Sequence, residues 1–110
     1  MSAEAPAQAT PARESVRDAV ADITVRRRVT LAGYISSLVI QPPGAAPVVE
    51  ADLSDGTGII TLVWLGRDAV PGIEPGTRLE VSGFAAQRSG HRVMYNPRYR
   101  IERMPDEDEA

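Results

Sequence analysis

All twelve basic residues of this 110-residue chain are arginines, with no lysine among them. A guanidinium is a planar fork of donors that grips a phosphate through paired hydrogen bonds and stacks on flat rings. GC-rich coding gives the same usage, and the side chains behave alike whatever selected them. Five aromatic residues accompany them: Tyr34, Trp64, Phe84, Tyr95 and Tyr99. Arginines interleaved with exposed rings form the chemistry that holds a flexible polyanion, with bases stacked and phosphates paired. The arginines placed for this are Arg26 and Arg28 at a strand edge and Arg67 beyond an apolar run. Arg88 and Arg92 flank a loop, and Arg98 shares one side of the last strand with Arg100. Tyr34, Phe84 and Tyr95 fall on the outward alternation of their segments, whereas Trp64 and Tyr99 read as core.

Other chemistries lack their parts. There is no cysteine, which excludes disulfides, thiol catalysis and cysteine–zinc sites. His91 is the one histidine, so no histidine pair can hold zinc and no Ser/His/acid set assembles. Asp52 and Asp55 are too sparse for a calcium loop, and the glycines fall at turns rather than in a phosphate cradle. Neither an enzyme nor a cofactor is expected. No run approaches the roughly 20 apolar residues of a membrane span. The first fifteen residues, MSAEAPAQATPARES, have neither a basic start nor an apolar stretch. A cytoplasmic protein is the expectation.

The formal charge of −3 is unevenly spread. Ten arginines face seven acids between Ile23 and Arg103, two face four in residues 1–22, and residues 104–110 hold four acids and no base. A mildly basic domain at 23–103 between two acidic tails permits a polyanion partner. The 104–110 tail is expected to be disordered. It could compete in cis for the basic groove, dock on a protein partner, or simply solubilise the chain.

The elements that must position these side chains read as strands. Val25–Ile40 alternates Val29, Leu31 and Ile35 against Arg26, Arg28, Thr30, Ala32 and Tyr34, with Gly33 permitting a bend. Val48–Ser54 and Ile59–Leu65 flank Asp55-Gly56, a strong hairpin signal. Thr77–Ala86 carries Leu79, Val81 and Ala85 inward, and His91–Glu102 follows a hairpin loop at Gln87–Gly90. Pro97 must lie at an edge or bulge of this last strand. Pro71 and Pro75 leave room between strands 3 and 4 for only a short or degenerate helix. At the N-terminus, Thr10 and Pro11 can start a short helix with Val16, Ala19, Val20 and Ile23 as its stripe. Residues 1–22 are thus read as a disordered tail plus this helix. The fold class is all-β, a five-stranded Greek-key barrel of the OB type.

Three segments, LSDGTGIITLVWLGR, PGTRLEVSG and RSGHRVMYNPRYRIE, together resemble the OB-fold wedge domain of the RecG family of replication-fork helicases. That family carries an Asp-Gly-Thr/Ser-Gly turn, an apolar strand ending in two aromatics, and a Met-x-His-Pro-x-Tyr ending. Here the aromatic pair falls on Trp64-Leu65 and the histidine on Asn96. With Leu53 and Ile60 inward, Trp64 joins the core and Leu65 takes the exposed stacking position. The resemblance spans roughly residues 25–103, without a P-loop or a motor, and suggests a stand-alone relative such as the single-domain OB proteins of actinobacteria. It implies weak to moderate binding of single-stranded nucleic acid, DNA before RNA, through the strand 2–3 face and the 1–2 and 4–5 loops. Glu50 and Asp52 on the outer side of strand 2 oppose that reading. They favour the alternative, a protein-interaction or regulatory adaptor that has lost nucleic-acid binding.

Overall fold

The computed structural model describes residues 17–23, 26–41, 44 and 46–102. Its strands are β1 (Arg27–Ile40), β2 (Val48–Ser54), β3 (Ile59–Leu65), β4 (Arg78–Arg88), β5 (His91–Tyr95) and β6 (Arg98–Ile101). Neighbouring strands run β1-β2-β3-β5-β4-β6, and β1 also pairs with β4. Five strands therefore close on themselves in an OB-like barrel, with the β3–β5 contact as its parallel seam. β6 lies outside that ring, along β4.

β1 serves two neighbours. Arg27–Tyr34 pairs with β4, and Tyr34–Ile40 pairs with β2, with a bulge between Ile35 and Ser37. Gly33 sits where the strand changes partner. A Cβ there would stand 2.2 Å from the Ser54 carbonyl oxygen, so only glycine lets β1 pass this close to the end of β2.

The fifth strand expected over His91–Glu102 is two. β5 pairs with the C-terminal part of β4 and β6 with its N-terminal part. The break falls at Asn96-Pro97. Asn96 adopts φ 51°, a left-handed conformation that asparagine tolerates better than most residues. Its N–H donates to the Val63 carbonyl at 2.6 Å, and its Oδ1 accepts from the Leu65 N–H at 3.0 Å. One residue thus prolongs the β3–β5 seam beyond the last paired residue. Pro97, without an N–H, occupies the interruption.

The connection from β3 to β4 contains no helix. Ile73 N–H donates to Val70 C=O and Thr77 N–H to Glu74 C=O, closing Val70-Pro71-Gly72-Ile73 and Glu74-Pro75-Gly76-Thr77. Each has proline second and a positive-φ glycine third, the pattern of a type II turn. Two such turns in tandem replace the degenerate helix. They still deliver Val70 and Ile73 to the core. Ser89 and Gly90, both at positive φ, form the two-residue β4–β5 hairpin.

The expected N-terminal helix begins outside the described residues, and the described part is one 3-10 turn at Val20–Asp22. Val20 is nonetheless fully buried. Asp55 holds it there. Its Oδ2 accepts from the Val20 N–H at 2.8 Å, while Oδ1 accepts from the Thr57 N–H and hydroxyl and from the Gly58 N–H. Burial pushes the Asp55 carboxyl up, but the Thr57, Val20 and Gly58 donors outweigh it and leave it below the usual aspartate value. A carboxyl depressed in the folded state stabilises the fold above its unfolded pKa, and that contribution disappears as pH falls through the folded one. Asp55→Ala should therefore cost about 1–3 kcal/mol at neutral pH through orphaned N–H groups. It should also flatten the acid limb of stability. Thermal melts of both proteins between neutral pH and about pH 3 check this; parallel curves would contradict it.

Candidate nucleic-acid interface

Two outer faces of the barrel carry the residues singled out from the sequence, and they differ in character. The first is made by β1, β4 and β6. Arg28 stands opposite Phe84 in the β1–β4 ladder, and Ser82, two residues before Phe84, stands opposite Arg98 on β6. Diagonal neighbours of this kind lie roughly 7–8 Å apart, within reach of long side chains. Phe84 is 51% exposed and is thus flanked by Arg28 on one side and Arg98 on the other. Arg26, at φ 71°, and Arg27 lie where the chain enters β1. Shallow grooves run over this face, one lined by Asp18, Arg28, Thr30 and Ser82, where the Asp18 carboxylate accepts from the Thr30 N–H at 3.0 Å, and another by Glu80, Ser82, Arg98 and Arg100.

Acids are present here but occupied. Glu80 takes Arg17 at 2.9 Å and Arg100 at 3.1 Å, and Glu102 takes Arg17 at 3.0 Å. Burial pushes the Glu80 carboxyl up, and its hydrogen bonds to Arg17 and Arg100 overcome that, holding it below the ordinary glutamate value. Among the described residues Arg26, Arg27, Arg28 and Arg98 make no ion pair. Two of them, Arg28 and Arg98, flank the exposed Phe84 ring, whereas Arg27 stands opposite buried Ala85 on the inward alternation of β1.

The second face is made by β2, β3, β5 and the C-terminal part of β1. One row across it reads Val39, Glu50, Val63, Tyr95, and the next reads Ser37, Asp52, Thr61, Val93. The two carboxylates expected to repel phosphate do stand here, each already satisfied. Asp52 accepts from the Ser37 and Thr61 hydroxyls at 3.1 and 2.8 Å. Glu50 pairs with Arg88 at 3.6 Å. The Tyr95 hydroxyl and then the Glu50 charge raise the Arg88 pKa above its ordinary value. Arg88 consequently lies over this face toward Glu50. Leu65 and Tyr95 are exposed on it, and Val63 and Val93 are buried in it.

The remaining candidates are scattered. Tyr34 is exposed opposite Arg78 and Ser54 at the change of partner in β1. Arg67 is exposed in the β3–β4 connection. Arg92 is half-buried at the barrel rim beside Gly58. So the structure brings together Arg26, Arg28, Phe84 and Arg98 on one face and Leu65, Arg88 and Tyr95 on the other.

Trp64 and Tyr99 are structural, as their alternation implied. Trp64 is buried, its Nε1–H donates to the Pro97 carbonyl at 3.3 Å, and its ring meets Tyr99 edge-on with centroids 5.8 Å apart. The Tyr99 hydroxyl donates to the Pro71 carbonyl at 2.8 Å. This stitches β3, β6 and the β3–β4 connection into one unit.

The barrel is similar to part of RecG. A solved structure of RecG bound to a three-way DNA junction superposes on 74% of this chain with a TM-score of 0.63 and 22% sequence identity. The present chain spans 12% of that RecG chain. At this identity the likeness is one of fold. No family model matches the sequence, and no curated protein does. The residues that carry the RecG-like ending here, Met94, Asn96, Pro97 and Tyr99, are all engaged in holding the barrel together. Among the described residues there is no group of three potential metal ligands, and no helix is long and apolar enough to cross a membrane. The 104–110 tail lies outside the described residues.

Proposed function

We propose that this chain is a non-catalytic, cytoplasmic module that binds single-stranded nucleic acid, with DNA preferred, as a stand-alone relative of the RecG wedge domain. One observation carries the reading: Arg28 and Arg98 flank the exposed ring of Phe84 and make no ion pair among the described residues, and neither does Arg26 where the chain enters β1. Phosphates would pair with the guanidiniums while a base stacks on Phe84. The binding track then runs over β1, β4 and β6, in place of the β2–β3 face on which Glu50 and Asp52 stand. The RecG neighbour, described as bound to a DNA junction, supports a nucleic-acid partner for this fold.

Neutralising about four phosphates gives a slope near −3 for the logarithm of affinity against the logarithm of salt concentration. Fluorescence anisotropy of labelled DNA and RNA oligonucleotides at several salt concentrations measures it. No binding at low salt would remove the proposal, and equal affinity for duplex and single strand would remove its single-strand part.

The second reading, a protein-interaction adaptor, draws on the other face. Leu65, Val39 and Tyr95 are exposed there around the Glu50–Arg88 pair. An adaptor that has lost nucleic-acid binding would show no affinity for the oligonucleotides at any salt concentration, so the same titration decides between the two readings.

A further inference from the structure

β1 parts from β4 after Tyr34, and from Ser37 to Ile40 it pairs only with β2 among the described residues. The Gln41 N–H donates to the Val48 carbonyl at 3.0 Å. Counting back from that bond, antiparallel alternation turns the main-chain groups of Val39 toward β2 and those of Leu38 and Ile40 away from it. On that open side no strand of the described residues stands. The segment Ser36–Gln41 reads Ser-Ser-Leu-Val-Ile-Gln. It holds no charge, proline or glycine, the features by which proteins normally blunt an exposed edge. Val39 is 59% exposed and Ile40 49%. The bulge before Ser37 and Pro42-Pro43 after Gln41 bound the open stretch on either side.

We propose that this edge is a self-association surface, on which β1 pairs antiparallel with β1 of a second copy about a twofold axis at Val39. The segment suits itself as partner. Being uncharged, it meets no like charge when reversed onto itself. With the axis at Val39, Leu38 stands opposite Ile40 of the other copy, so the outward N–H and C=O groups at both positions find each other. Val39 then meets its own counterpart in a non-hydrogen-bonded pair, where side chains approach most closely. Both copies apply the same patch, as a closed twofold dimer requires. The β3-β2-β1 sheets of the two barrels become continuous. Arg28 lies on the other half of β1 and Arg98 on β6, so the surface around Phe84 remains open and the pairing does not depend on nucleic-acid binding.

Sedimentation equilibrium of the full chain over a wide concentration range tests the proposal. The mass should rise with concentration from 11.8 kDa toward twice that value. Val39→Lys puts like charges on the axis and should hold the mass at 11.8 kDa throughout, whereas Phe84→Ala, on the other face, should leave the rise unchanged. Amide hydrogen exchange supplies a readout that needs no variant: protection at Leu38 and Ile40 should increase with protein concentration, and that at Val39 should not. A wild-type chain that stays monomeric, or a folded Val39→Lys protein that still doubles its mass, overturns the inference. So does an edge that stays open between copies yet captures an unrelated extended peptide.

Discussion

Trp64→Ala is expected to remove about 3–5 kcal/mol of folding stability, the range for deleting a large buried aromatic. A domain of this size has roughly 5–15 kcal/mol in total, so the variant should lie near the limit of folding at room temperature. Three losses combine. The side chain is buried among Ile60, Leu62 and other core residues, so its removal leaves a cavity. The Pro97 carbonyl loses its donor, and Tyr99 loses the ring it meets edge-on. Chemical denaturation followed by far-UV circular dichroism measures the effect, since the chain has no other tryptophan to report by fluorescence. Tyr99→Phe is the comparison. It keeps the ring contact and loses only the hydrogen bond to Pro71, and should cost about 1 kcal/mol. A Trp64→Ala protein as stable as wild type would mean that Trp64 is an exposed platform rather than a core residue.

The triple variant Arg28→Ala/Phe84→Ala/Arg98→Ala should lose most of its affinity for single-stranded DNA while keeping its melting temperature. A base stacked on an aromatic contributes roughly 1–3 kcal/mol, so Phe84→Ala alone should weaken binding by about 5- to 150-fold. Each arginine removed should make the salt slope shallower by about 0.7. All three side chains are exposed, so stability should change by only about 0.5 kcal/mol per site. Arg88→Ala is the control for location, because Arg88 lies on the other face beside Glu50. If Arg88→Ala weakens binding more than the triple variant does, the track runs over β2 and β3 instead.

These outcomes bear on how the barrel and its site are encoded. Strand positions were legible because alternation and turn chemistry agree. Asp55-Gly56 opens the hairpin where expected, and Leu79, Val81 and Ala85 face inward. The burial of Trp64 followed from the parity of Leu53 and Ile60. The β3–β4 connection differs from expectation because two Pro-Gly pairs in succession suggest a broken helix as readily as tandem turns. The break in the last strand was half legible. Pro97 announced an interruption, but the left-handed Asn96 and its two bonds to β3 depend on a partner distant in sequence. Val20 lay in a segment read as tail and helix, and no local pattern says that Asp55 will reach across to its N–H.

The chain's own order of residues determined that this is an all-β barrel rich in arginine, because period, turn chemistry and composition are local properties. Tertiary structure alone decided which arginines are spent and which are free. Arg17, Arg88 and Arg100 face carboxylates brought to them from other strands, while Arg26, Arg27, Arg28 and Arg98 do not. The physical reason is that a guanidinium's availability depends on what the register sets opposite it. Register is fixed by closure of the whole barrel, which no single segment encodes.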